Sequence, residues 1–303
     1  MRDVFCQTLV RAAANEDFVF LTGDLGFAAL EPLRDALGSR FINAGVAEQN
    51  MVSVAAGLAR KGLRPWVYSI APFVYARPFE QIRNDLCIHN LPVILVGNGG
   101  GYGYGVMGAT HHAIEDYGAL LTLTNMRCFI PAFDGDVAPM VDLLMASRSP
   151  AYFRLGRSEL PKGMVHPAYL PWRRLCSGGG PTLLAVGPLV GGILDAAQKL
   201  SEASRPTIWL LSELPIVDLP ADFRADLARS QRLIVVEEHV AQGSAGQMLA
   251  HRLALDGQSP RHFAHRFARA YPSGRYGSQQ FHRKESGIDA ESILELIQSE
   301  GKS

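Results

Sequence analysis

Residues 92–97 read Pro-Val-Ile-Leu-Val-Gly, and this short run constrains the fold more than any other feature of the chain. It is too short for a buried helix and shows no alternation of apolar with polar side chains. As a strand it therefore needs both faces covered, which is the situation of a parallel sheet flanked by helices. Similar runs recur at Phe18–Thr22, Trp66–Tyr68, Cys128–Ile130 and Ala151–Arg154. Between them the spacing predicts helices at Arg2–Asn15, Gln49–Lys61, Arg77–His89 and Val137–Ser147. The last of these has Asp134 or Asp136 as N-cap and Pro139 in its first turn. Residues 155–181, with Pro161, Gly163, Pro167, Pro171 and Gly178 to Gly180, break the pattern and read as a connector. A second series follows: strands Thr182–Val186, Thr207–Leu211 and Leu233–Val236, helices Leu189–Ala203 and Gly246–Leu255, and a final helix in IDAESILELIQ. The expected architecture is α/β, two doubly wound domains with mostly parallel sheets at 1–160 and 181–303, joined by a linker at 161–180.

Composition narrows the function classes. Lys plus Arg and Asp plus Glu both number 29, so the formal net charge is zero and nothing favours nucleic acid or an anionic membrane. Low charge repulsion makes self-association unsurprising. Cys6, Cys87, Cys128 and Cys176 stand far apart, which suits neither a zinc site nor a disulfide framework. The opening MRDVFCQTLVRAAAN reads as a helix rather than a signal peptide, and no apolar run approaches the ~20 residues needed to span a bilayer. The expectation is a cytoplasmic, soluble protein.

Two segments could carry chemistry. Gly103, Gly105 and Gly108 fit a GxGxxG pattern after a strand, but ATHHAIED does not open as a helix and seven glycines in the window make chance matches easy. A tightly folded or mobile loop whose backbone approaches a ligand is the better expectation. His111 and His112 end that loop. Adjacent histidines cannot point the same way, so a metal site is not expected; what remains is a surface pair, or one histidine acting on a substrate hydroxyl or carbonyl. In RFINAGVAEQNMVSVAAGLARKG, Glu48 follows a short apolar strand and opens a helix rich in small residues, where the macrodipole favours a carboxylate.

Several ordered segments together resemble the transketolase family of thiamine-diphosphate enzymes, which includes the deoxyxylulose-phosphate synthases and the beta subunits of 2-oxo-acid dehydrogenases. MRDVFCQTLVRAAANEDFVFLTGDLG resembles the start of the pyrimidine-binding domain, and GVAEQNMVSVAAGLA its glutamate motif. YARPFEQIRNDLCIHNLPVILV, GATHH, FRLGRSELP and VVEEHVAQGSAG follow in the family's order. The resemblance implies that Glu48 hydrogen-bonds a ring nitrogen of the cofactor's aminopyrimidine and so activates the cofactor. It implies that His111 sits near the reacting carbon and that Arg157 holds a sugar phosphate; a surface salt bridge is the alternative for Arg157. Phe73 and Tyr75 are candidates for the aromatic surface against the pyrimidine, or for the core, and Asp24 borders the cofactor in relatives.

The departures are informative. Met107 stands where transketolases have an acidic residue that contacts a donor hydroxyl, and Ala109 replaces a proline. Asn98 to Gly101 lack the family's phosphate-binding histidine, and Gly100 lacks the arginine of the synthases. A shorter, less polar or modified sugar is therefore expected, with Met107 among the substrate-binding residues. No GDG motif with its distal Asn is present for the diphosphate and Mg²⁺; the nearest string, DGD at 134–136, lies before a helix. The chain starts where the pyrimidine-binding domain starts, so these ligands are expected on a separate N-terminal transketolase subunit, in an α₂β₂ heterotetramer. Ketol transfer between sugars is the expected reaction. The alternatives are a 2-oxo-acid dehydrogenase beta subunit, a synthase-like decarboxylase, or a non-catalytic subunit that kept the fold.

Overall fold

The computed structural model describes residues 1–26, 28–157 and 160–299. Its strands are β1 (Phe18–Thr22), β2 (Phe41–Asn43), β3 (Arg64–Ile70), β4 (Ile94–Asn98), β5 (Arg127–Phe129), β6 (Ala151–Leu155), β7 (Trp172–Cys176), β8 (Thr182–Val186), β9 (Thr207–Leu211), β10 (Glu213–Leu214), β11 (Arg232–Glu237) and β12 (His262–Arg266). The helices that matter below are α1 (Arg2–Ala12), α2 (Glu31–Leu37), α3 (Glu48–Arg60), α4 (Ala71–Ala76), α5 (Phe79–Gln81), α6 (Asp116–Leu120), α7 (Asp134–Met145), α8 (Val190–Ala197), α9 (Ala221–Ser230), α10 (Ala245–Leu255), α11 (Gln279–Ser286) and α12 (Ala290–Ser299).

Among the described residues the strands form two sheets, ordered β10-β5-β6-β4-β3-β1-β2 and β12-β11-β8-β9-β7. All pairings are parallel except β10 on β5 and β7 on β9, which are edge strands. This is the mostly parallel α/β architecture expected from the runs, and the reason is visible in β4. Leu95 faces a core layer shared with α3 and α4, whereas Ile94 and Val96 face a layer with α1, α2 and α7. Helix α3 buries Met51, Val52, Ala55, Ala56 and Ala59 on one stripe, each larger side chain contributing about 1.5–3 kcal/mol.

Four expectations need correction. Within 161–180, Trp172–Cys176 forms β7, because Trp172 packs on Phe223 with centroids 5.0 Å apart and Arg173 pairs with buried Asp136. The helix expected at Arg77–His89 instead begins after Pro78 as α5 and continues as a π-helical turn at Ile82–Cys87. Helix α7 starts at Asp134 rather than Val137. Asp136 is its third residue, reaching back to the N–H groups of Ala132 and Phe133 at 2.9 and 3.0 Å, so Pro139 lies past the first turn. Helix α8 ends at Ala197, six residues short of its expected end. No helix among the described residues is long and apolar enough to cross a membrane.

Candidate active site

In the first sheet the chain runs from β1 outward to β2, then returns past β1 to β3 and on to β4. Connections leave β1 and β3 in opposite directions, which opens a crevice beyond their carboxyl ends. Three groups meet there. Glu48 opens α3 just after β2 and is 4% exposed. Ser69 lies near the end of β3, fully buried, its hydroxyl without a hydrogen-bond partner among the described residues. Gly23 follows β1, and a Cβ there would lie 3.8 Å from Ser69 Oγ and 3.9 Å from Glu48 Oε1. The carboxylate is thus fixed by strand connectivity and by its place in the first helical turn.

Sequence reasoning missed the residue that touches Glu48. Arg77, four residues after Phe73 and just past α4, donates from Nη1 to Glu48 Oε1 at 2.7 Å. Its guanidinium lies 3.7 Å from the Phe73 ring centroid, a cation–π contact. The Phe73 ring in turn meets His111 edge-on, with centroids 5.2 Å apart. Glu48, Arg77, Phe73 and His111 therefore form one continuous wall. Tyr75 does not join it: it is buried in the core layer and its hydroxyl reaches Glu115 at 3.5 Å. Burial, reinforced by the neighbouring Asp116 charge, pushes the Glu115 carboxyl above its ordinary range. Asp24 faces a neighbouring cleft, where its carboxylate accepts from Asn43 Nδ2 at 2.9 Å and ties β1 to β2.

The glycine-rich loop is tightly folded, and the groups its glycines admit are protein side chains. A Cβ at Gly99 would collide with the Tyr104 ring, and one at Gly100 would come within 2.5 Å of Arg154. Those contacts explain why neither a histidine nor an arginine occupies these positions. Tyr104 packs against His111 at 5.8 Å and accepts a hydrogen bond from Asn98 at 2.9 Å. Met107, in a single 3₁₀ turn at Gly105–Met107, is 56% exposed beside Val106. The far side of Tyr104 lines a cleft of about 550 Å³ that also contains Arg157 and Arg2. Arg2 has no local signature in the sequence; only its place at the start of α1, near the end of β6, brings it there.

His112 turns the other way. Its Nδ1 meets the Tyr271 hydroxyl at 3.0 Å and its Nε2 the Gly105 carbonyl at 2.8 Å, and its ring packs 4.9 Å from that of His282. Burial holds both imidazoles below the ordinary histidine range, against the opposing pull of Gly105 and Glu238. Above about pH 6.5 both are neutral folded or unfolded and contribute no pH dependence. As pH falls through that value the unfolded chain binds the protons first, so stability drops until the folded values are passed. The melting midpoint should decline as pH falls below about 6.5, with a stability slope of at most roughly 1.4 kcal/mol per pH unit for each histidine. His282→Gln should flatten that slope in scans across the range; an unchanged slope would assign it elsewhere.

The wall offers a flat heterocycle a carboxylate at Glu48 and a buried hydroxyl at Ser69 that has no partner among the described residues, beside a Phe73 ring with one face under Arg77. Among the described residues no three His, Cys, Asp or Glu side chains cluster to hold a metal ion. Asp134 and Asp136 of the DGD string are engaged with the Met1 amino group at 2.8 Å and with Arg173 at 2.5 Å.

Comparison with known proteins matches these features. The family described as transketolase, pyrimidine binding domain, covers residues 1–162. An apulose-4-phosphate transketolase subunit from Actinobacillus succinogenes is 33% identical over 99% of this chain and 97% of its own length. The 1-deoxy-D-xylulose-5-phosphate synthase 2 of Geobacter sulfurreducens is 32% identical over 98% of this chain but 48% of its own. A split-gene transketolase, solved as an inactive beta4 tetramer, superposes with a TM-score of 0.84 at 27% identity, covering 98% of this chain and 97% of that one. The chain belongs to the transketolase family and corresponds, along almost its whole length, to the second subunit of the family's split members.

Proposed function

We propose that this chain is the pyrimidine-binding and C-terminal subunit of a two-component transketolase, moving a two-carbon ketol unit from a ketose donor to an aldose acceptor. The observation that carries the proposal is Glu48, buried at the crevice between β1 and β3 with Phe73 and His111 on its rim. Thiamine diphosphate, when bound, supplies the nucleophilic carbon and the electron sink for carbon–carbon cleavage. Glu48 would hold its ring nitrogen, and Phe73 would offer the apolar face. His111 would hold or pass protons at the substrate's hydroxyl or carbonyl oxygen. Arg157 and Arg2 share one cleft beyond Tyr104 and would hold a phosphate. We assign 1–160 to cofactor activation, 161–180 to the connection and 181–303 to the C-terminal domain.

In this proposal the diphosphate and Mg²⁺ ligands come from an N-terminal transketolase subunit carrying GDG and a distal Asn, in an α₂β₂ heterotetramer. The split-subunit relatives support it. The exposed thioether of Met107 favours a donor less polar than the ordinary pentose phosphates. The test is reconstitution with the partner and a panel of ketose donors. Ketol transfer supports the proposal; release of CO₂ from pyruvate alone would replace it with a synthase-like decarboxylation. Arg157→Ala should raise KM for a phosphorylated donor roughly 10- to 100-fold while leaving an unphosphorylated donor nearly unaffected. Equal effects on both would place Arg157 outside the phosphate site.

A further inference from the structure

The lobe that carries His111 is pinned at its neck by the C-terminal half of the chain. Gly101 and Ala113 pair in an antiparallel bridge, N–H to carbonyl at 2.8 and 2.9 Å in the two directions, and this closes residues 102–112 into the lobe. One residue beyond β11, Glu238 meets both sides of that neck. Its Oε1 accepts from the Tyr102 backbone N–H at 2.7 Å. Its backbone carbonyl accepts from Arg154 Nη2 at 2.9 Å, and the same nitrogen donates to Ala113 at 2.8 Å. Gly101 has φ +65°, and a Cβ there would come within 2.7 Å of the Glu238 carboxyl. Glycine is thus needed at Gly101 for its backbone angle and for the approach of this carboxylate.

The carboxylate is itself held. Glu238 is 5% exposed and also accepts from Gln279 Nε2 at 3.0 Å and Arg283 Nε at 2.9 Å. Tyr102, the next residue of the lobe, is inserted into the second sheet's core. Its hydroxyl reaches the Ala270 carbonyl and Ser286, and its ring stacks on His282 at 5.0 Å. A backbone N–H held by an ionised, buried acceptor is stronger than a neutral pairing. The fixed point lies at the lobe's base, so a small displacement there is carried to His111.

We infer that Glu238 is a positioning residue for His111: the C-terminal half sets the reacting geometry by anchoring the neck of the 102–112 lobe. The inference rests on the proposed ketol transfer for its kinetic arm only. Glu238→Ala, in the reconstituted two-chain enzyme, should lower kcat about 100-fold, the effect of roughly 1 Å of misplacement, with KM for the donor moving far less. Amide exchange at residues 101–113, read on the full chain by mass spectrometry, should accelerate. Glu238→Gln keeps an acceptor for Tyr102 and should stay within about tenfold of wild type.

Because Glu238→Ala also removes the buried ion pair with Arg283 at 2.9 Å, a double variant, Glu238→Leu with Arg283→Met, separates folding from positioning. It should regain part of the thermal midpoint lost in Glu238→Ala but not kcat. Recovery of both, or unchanged exchange at 101–113 in Glu238→Ala, would overturn the inference. A wild-type complex without ketol transfer would instead fail the proposed function, and the exchange measurement would still decide whether Glu238 holds the lobe.

Discussion

Glu48→Gln is expected to cut turnover of the assembled enzyme about 10²–10⁴-fold, the range for removing a positioned acid–base group, while the two chains still associate. The amide has nearly the shape of the carboxylate and keeps an oxygen for Arg77 Nη1, now 2.7 Å away. Arg77 is partly exposed, so loss of the ion pair costs about 1 kcal/mol or less in stability. Under the proposed function, what the variant loses is proton exchange with a ring nitrogen, the one property an amide cannot imitate. Steady-state kinetics with a titration of the cofactor separates the outcomes. Lower kcat with cofactor affinity changed little places Glu48 in activation. Near-normal turnover would remove the carboxylate from the mechanism.

Much of the fold was legible because parallel strands leave an unambiguous mark. Val19, Leu21, Val67 and Leu95 face one core layer, and Phe18, Phe20, Trp66 and Val96 the other, so every such run had to be apolar throughout. Edge elements were not legible. β7 has only Arg173 fully buried, and β12 has no fully buried residue; neither shows the apolar run that marks a central strand. Helices α9 and α11 bury two and three side chains respectively, too few for a clear periodic signal in sequences dominated by charged and polar residues.

The candidate site was legible where one segment holds its residues and opaque where the fold assembles it. Glu48 and His111 each lie in a recognisable segment, and Phe73 joins them through α4. Ser69 and Tyr104 carry no local signature, and Arg77 and Glu238 lie in segments that resemble the family's without showing which groups they meet. Ser69 matters only because β3 places its hydroxyl beside Gly23 and Glu48. Glu238 lies 136 residues from the N–H it holds. Tyr75 takes the other of the two places open to it: two residues from Phe73 on a short helix, it points into the core instead of the crevice.

The largest stability effect should come from Asp116, at the start of α6. It is fully buried, and its Oδ2 accepts from Arg154 Nε at 2.7 Å and from the Tyr152 hydroxyl at 2.8 Å. Arg154 is 5% exposed. Burial works against its charge, but the Asp116 carboxylate beside it holds the guanidinium above its ordinary range. Asp116→Ala leaves that guanidinium without its counter-ion, at about 3–5 kcal/mol, a drop in melting midpoint on the order of 10 °C. The exposed pair of Arg34 with Asp35 at 3.1 Å is the control: Asp35→Ala should cost under about 1 kcal/mol. Asp116→Leu combined with Arg154→Met removes both charges and should recover most of the midpoint. It should not recover turnover, because Arg154 also holds the Ala113 carbonyl at the neck of the His111 lobe. A melting midpoint within about 2 °C of wild type for Asp116→Ala would mean that water reaches the guanidinium and that the pair is not the buried tie described.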